Sequence, residues 1–98
     1  MDAAQVAAQL QVLPAWQHVN GALVRDYRFA DYFETLAFVN ALAFMIHRED
    51  HHPELVVSYN RCEIRFNTHS VGGISENDFI CAAKADAVHA QQFGTAAA

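Results

Sequence analysis

Leu55-Val56-Val57-Ser58-Tyr59, then Asn60-Arg61, then Cys62-Glu63-Ile64-Arg65-Phe66-Asn67-Thr68 is the stretch whose reading decides the fold. Both runs, Leu55–Tyr59 and Cys62–Thr68, read as strands, with Asn60-Arg61 as a short turn between them. A two-residue turn there pairs Tyr59 with Cys62, Val57 with Ile64 and Leu55 with Phe66. All six lie on one face and offer a continuous apolar surface to covering helices. The opposite face carries Val56, Ser58, Glu63, Arg65 and Asn67. A slip of one residue would turn the apolar set outward, so the core pattern itself supports the alignment. Asn60 suits such a turn, whereas Arg61 at positive φ is not favoured.

Extending this register outward sets His52 directly across from His69 on the open face, with Cβ atoms about 5 Å apart. His51, one residue earlier, points differently and approaches the same ligand from another side. Imidazole is the side chain best suited to moving protons near neutral pH. One isolated histidine reads as a solvated loop residue; three converging on the uncovered end of one hairpin read as a site. Metal binding is the sharper alternative, since His47, Glu49, Asp50, His51 and His52 are plausible ligands. HExxH and CxxC groupings are absent, and Pro53 disfavours helical dihedrals at His52 and breaks the His47–His51 spacing. No metal is expected.

The remainder of the chain follows in order. Asp2 caps a first helix in which Val6, Gln9, Leu10 and Leu13 keep helical spacing, and Pro14 closes it. Trp16–Val19 and Ala22–Phe29 flank Asn20-Gly21, the strongest short hairpin signal, since both residues tolerate positive φ. Leu23, Tyr27 and Phe29 share a face with Arg25. Asp31–Glu34 has capping-box spacing and opens a second helix running to about Arg48. Gly72-Gly73 is a loop, Ser75–Asp78 caps an alanine-rich third helix ending before Gly94, and Thr95–Ala98 is a frayed tail. The order α-β-β-α-β-β-α predicts an α+β domain over residues 1–98. Its expected architecture is a four-stranded antiparallel sheet with helices packed on one face.

The totals narrow the function. Ninety-eight residues, 53% hydrophobic and 17% charged, suit one globular core. A formal charge of −5, with no Lys/Arg cluster to offset it, argues against direct nucleic-acid binding. The start lacks a signal-peptide pattern, and the apolar stretch around Leu36–Ile46 is interrupted by Asn40 and too short to span a bilayer. A cytoplasmic protein without membrane contact is expected, with Cys62 and Cys81 as buried free thiols. Cys62 faces the core without a nearby base, which argues against a cysteine nucleophile. Tyr59 reads as core with its hydroxyl at the rim, His18 and His89 as surface, and Asp78 as the N3 carboxylate of the capping box. From Tyr32 to Ile46 only Glu34, Thr35 and Asn40 are polar, so the second helix should bury two sides, one against another subunit.

These residues resemble the pterin-4a-carbinolamine dehydratases. That family's signature is a His-His-Pro, an aromatic residue after a short gap, a histidine ten positions later and an aspartate beyond. Here those are His51-His52-Pro53, Tyr59, His69 and Asp78. Trp16, Arg25–Phe29, Tyr59-Asn60, Thr68-His69, Gly73–Ser75 and Asp78-Phe79 also fall where members carry similar residues. His47 stands where the family often has glutamate. The resemblance implies dehydration of a 4a-hydroxytetrahydropterin to a quinonoid dihydropterin by histidine acid/base catalysis, without metal or organic cofactor. By carry-over His51, His52 and His69 are the catalytic set. Asp50, Asn67, Thr68 and Ser70 are pterin contacts, and Asp78 both meets the substrate region and orients a histidine. It also implies a homo-oligomer, dimer or tetramer, in tetrahydrobiopterin-type recycling. Alternative roles are molybdopterin metabolism or a transcriptional-coactivator interaction module.

Overall fold

The computed structural model describes residues 1–94; the tail expected at Thr95–Ala98 lies outside them. Helix α1 (Ala3–Leu10), strands β1 (Gln17–Val19) and β2 (Ala22–Arg28), helix α2 (Tyr32–Glu49), strands β3 (Glu54–Ser58) and β4 (Arg61–Phe66) and helix α3 (Glu76–Phe93) follow in order. A single 3-10 turn, His69–Val71, interrupts the run from β4 to α3. The strands form one antiparallel sheet in the order β1-β2-β4-β3. The expected α+β architecture, with the helices on one face, is therefore the observed one.

Local chemistry explains the boundaries. Asp2 and Gln5 close a capping box on α1: Gln5 N–H donates to Asp2 Oδ1 (2.8 Å), and Asp2 N–H to Gln5 Oε1 (2.9 Å). Asn20 and Gly21 both take positive φ, 49° and 77°, which a tight β1–β2 turn demands. On α2 only half of the expected box forms. Asp31 accepts from Glu34 N–H, but the Glu34 carboxylate reaches past it to Ala30 N–H (3.0 Å). At α3 the Asp78 carboxylate accepts from Ser75 N–H (2.8 Å).

The β3–β4 hairpin corrects the expected register. Its turn is Tyr59-Asn60, and the pairs are Ser58–Arg61, Val57–Cys62, Leu55–Ile64 and Glu54–Arg65. This is a shift of two residues, which preserves the face of every side chain while changing its partner. Neighbouring elements select it. Asn60 C=O accepts from Phe29 N–H (2.8 Å), and Tyr59 C=O accepts from the Thr35 hydroxyl (3.0 Å). Neither turn residue needs positive φ, and the cost of Arg61 in that region is avoided.

The core is one cluster. Leu23 and Tyr27 of β2 and Cys62, Ile64 and Phe66 of β4 meet Val6, Phe38, Leu42, Met45, Phe79, Cys81, Ala82 and Ala85 from the helices. Only the β4 half of the apolar hairpin face is fully covered, because β3 is an edge strand. Tyr59, expected in the core, is 64% exposed and stacks on Tyr32 instead. Phe38 is fully buried, whereas Phe33 (79% exposed), Leu36 and Phe44 (77%) line the outer side of α2. The helix thus has two apolar sides, one turned to solvent in the single chain. Among the described residues no helix is long and apolar enough to cross a membrane.

His89 is not a plain surface residue. Its ring lies 5.0–5.9 Å from those of Tyr27, Phe29, Phe38 and Phe93. Burial, and then the nearby Arg25 cation, lower its pKa below the ordinary histidine value. One turn earlier Asp86 ties three elements together. It accepts from Trp16 Nε1 (3.0 and 3.1 Å), from Arg25 Nη1 (2.7 Å) and from the Tyr27 hydroxyl. Arg25, on the core-facing side of β2, is satisfied there and lies over the Tyr27 ring (4.1 Å). Burial, reinforced by Asp86, pushes the Tyr27 phenol far above its usual range.

Candidate active site

The segment carrying the histidines begins where α2 ends. Asp50 is the C-cap of α2 in the left-handed region (φ 50°, ψ 43°), with its N–H donating to His47 C=O (3.3 Å). Aspartate tolerates that conformation better than most residues, and the chain reverses there into the extended His51–Pro53 link. At the far end of β4, Thr68 pairs with Gly73, and the enclosed residues form the 3-10 turn that starts at His69. His69 therefore opens a turn rather than ending a strand.

His52 and His69 line one cleft of about 420 Å³, together with Asn20, Ala22, Pro53, Glu54, Arg65 and Asn67. They are not directly opposed pairs. In the observed register His52 continues toward Asn67, and the turn at Thr68–Gly73 brings His69 back to the cleft. The volume falls within the range of small-molecule sites. Its floor is the open face of the sheet, where Arg65 Nε donates to Glu63 (2.8 Å) and lies 3.9 Å from Glu54. Asn20, Ala22, Arg65 and Glu54 were not singled out from sequence as site residues. Arg65 was legible as an open-face residue, but the approach of the Asn20 turn depends on the sheet order.

His51 takes a different place. Its ring is largely buried, stacks nearly parallel to Phe66 (5.9 Å, 6°), and brings Nε2 to 2.5 Å from Asp78 Oδ1. Asp78 is completely buried. Its other oxygen accepts from Ser75 N–H (2.8 Å) and the Thr68 hydroxyl (2.9 Å), while Thr68 also bonds the Ser75 hydroxyl (2.6 Å). A carboxylate can only accept, so Nε2 of His51 carries the proton and Nδ1 is left as the second functional nitrogen. Asp78 thus reaches His51 and the residue preceding His69, not the solvent-open cleft. The N3 site of α3 holds this carboxylate inside the fold, against His51.

The other expected contacts divide. Asn67 is exposed and lines the cleft, whereas Thr68 is half-buried and engaged by Asp78. Asp50 and Ser70 are exposed beside the histidine segments without a side-chain bond among the described residues. Also among the described residues, no three His, Cys, Asp or Glu side chains are grouped so as to hold a metal ion. The arrangement offers two imidazoles at a cleft, a third whose tautomer is set by a buried carboxylate, and polar groups for a flat heterocycle.

Known proteins resemble this chain in sequence and in fold. The family described as pterin 4 alpha carbinolamine dehydratase matches residues 1–88. A Stenotrophomonas maltophilia protein, provisionally named a pterin-4-alpha-carbinolamine dehydratase, is 57% identical over 90 residues, covering 90% of this chain and 78% of the relative. A Bdellovibrio bacteriovorus protein of the same provisional name is 53% identical over 93 residues, covering 91% and 78%. The crystal structure of a transcriptional coactivator/pterin dehydratase from Brucella melitensis superposes with a TM-score of 0.85 at 31% identity, covering 90% of this chain and 96% of that one. A pterin dehydratase-like protein described as a RuBisCO assembly factor in the alpha-carboxysome superposes at 0.65 with 25% identity, covering 76% and 88%. With a family match over most of its length and relatives above half identity, this chain belongs to the pterin-4a-carbinolamine dehydratase family.

Proposed function

We propose that this protein dehydrates a 4a-hydroxytetrahydropterin to the quinonoid dihydropterin in tetrahydrobiopterin-type recycling, using His51, His52 and His69. The observation that carries the reading is the shared cleft of His52 and His69, with the neighbouring residue, His51, held inward by buried Asp78. In the reaction the C4a–O bond breaks, the leaving oxygen takes a proton and departs as water, and a ring nitrogen forms the new C=N bond as its N–H proton is removed. One imidazole supplies the first proton and another accepts the second, each contribution worth about 10²–10⁴-fold. Asp78 presents His51 with Nδ1 free; Asp50, Asn67, Thr68 and Ser70 contribute polar surface for the pterin. The two free, buried thiols, Cys62 and Cys81, fit a reducing compartment, and the cytoplasm is the proposed setting.

The test is turnover of a 4a-hydroxypterin by His52→Ala and His69→Ala proteins. Each should stay folded and lose about 10²-fold or more of kcat. Full activity in the double variant would end the reading.

A second role, as a self-associating or partner-binding module, is favoured by the apolar outer side of α2. Phe33, Leu36 and Phe44 form that face, while Phe38 belongs to the core and is no probe of it. Phe44→Asp should shift the sedimentation of an oligomer toward monomer without changing the fold. If oligomeric mass is unchanged, α2 is not the interface.

A further inference from the structure

We infer that Arg65 is a specificity-determining residue of the cleft: its terminal guanidinium nitrogens donate to a neutral ring carbonyl of the bound pterin. The inference rests on the pterin reading above, but its grounds are the geometry around Arg65.

Arg65 forms part of the cleft floor, beside Glu54. On β4 it is flanked by Val24 of β2 and Glu54 of β3, and Asn67, two residues on, points to the same face. His52, His69, Asn67 and Arg65 line the one cavity. The guanidinium is held from one side only. Its Nε donates to Glu63 Oε2 (2.8 Å), and Glu63 is steadied by Arg61 (3.3 Å), which bonds Asp26 in turn (3.0 Å). Among the described residues Nε is the only nitrogen of Arg65 with a hydrogen-bond partner, although the side chain is only one-third exposed. A planar group pinned at Nε keeps its Nη donors in a defined direction, a fixed fork rather than a mobile charge.

The charges around it decide what that fork takes. Glu63, shared with Arg61, and Glu54 stand 2.8 and 3.9 Å from the same Nε, so carboxylates offset the charge of this guanidinium. An anionic ligand would find no net positive field there to hold it. A neutral carbonyl needs donors and no net positive field, and a pterin carries such an acceptor on its pyrimidine ring, next to the carbon that loses hydroxide. Held there, Arg65 sets which edge of the heterocycle lies on the floor and so which atoms face His52 and His69.

The experiment compares wild type with Arg65→Met, which keeps the stem and loses the donors, and Arg65→Lys, which keeps the charge and loses the fork. Equilibrium binding is measured for three probes: a 4-oxo pterin, a 2,4-diaminopteridine with an amino group in place of that carbonyl, and a 6-carboxypterin. Turnover supplies kcat and KM, and melting curves report folding. Arg65→Met should weaken 4-oxo pterin binding and raise KM about tenfold, with kcat within about threefold, and leave diaminopteridine binding unchanged. Arg65→Lys should recover only part of the loss. Unchanged 4-oxo pterin binding in Arg65→Met, or an equal loss for both neutral ligands, overturns the inference. So does a loss confined to 6-carboxypterin, which would mark an anion site. A wild-type protein that neither binds nor turns over any pterin fails the pterin reading itself, a separate and recognisable outcome.

Discussion

Asp78 and Asp86 lie on the same helix, about two turns apart, and each gathers several donors, yet they do different work. Asp86 holds Trp16, Tyr27 and Arg25, and so ties the segment before β1 and strand β2 to α3. Its counter-charge is a guanidinium, permanently positive, so the pair is a structural clamp across the working pH range. Asp78 has no such cation. It is stabilised by Ser75 N–H, the Thr68 hydroxyl and the positive end of α3, and its remaining oxygen faces His51. An arginine partner absorbs a carboxylate's charge, whereas an imidazole partner is oriented by it and keeps a second nitrogen for chemistry. The difference between clamp and site is therefore the identity of one donor.

Substitution should separate the two. Asp78→Asn has the largest expected effect, and on activity. One amide oxygen can still accept from Ser75 and Thr68, but the amide NH₂ then meets Nε2 of His51 and drives its proton to Nδ1. By analogy with other carboxylate-oriented histidines, kcat should fall on the order of 10²–10³-fold while the melting temperature moves little. Turnover within about threefold of wild type would show that His51's tautomer does not matter.

Asp86→Ala should do the reverse. It orphans the Tyr27 hydroxyl and leaves Arg25 without its partner on the core-facing side of β2, costing about 2–3 kcal/mol in a denaturant titration. Because the group is partly exposed, the loss should stop short of that of a fully buried pair. The folded fraction should keep its kcat. A large loss of kcat with normal stability would erase the distinction between the two aspartates.

The smallest effect concerns His89, beside the Asp86 clamp. Its folded-state pKa is lowered, so below about pH 6.5 the unfolded chain takes up a proton that the folded chain refuses. Stability should fall as pH drops from there until the folded-state pKa is passed, with a slope from this group of at most about 1.4 kcal/mol per pH unit. His89→Phe keeps a ring among Tyr27, Phe29, Phe38 and Phe93, and should flatten that part of the curve. An identical pH profile would mean another group is responsible.

Much of this is legible in the sequence. The strand faces, the Asn20-Gly21 turn and the caps at Asp2 and Ser75 follow from local chemistry and period-two patterning, which act within a few residues. The hairpin register was not legible to the same depth. A shift of two residues leaves the apolar pattern intact, so the pattern could not choose between turns at Asn60-Arg61 and Tyr59-Asn60. Two long-range hydrogen bonds, from Phe29 and Thr35, make that choice. Tyr59 was misread as core because burial of an edge strand depends on how far the helices reach across it. His89 was misread as surface because its aromatic surroundings come from three separate elements.

The sequence by itself determined the fold class, through the order of its helix and strand patterns, and the histidines worth attention. Side-chain type, turn chemistry and alternation are properties of neighbouring residues. Tertiary structure alone decided what each histidine does with its position: His52 and His69 open to one cleft, and His51 turned inward onto Asp78. That division depends on the left-handed turn at Asp50, the 3-10 turn at His69 and the docking of α3. The segments involved are distant in sequence and meet only when the core between them is packed.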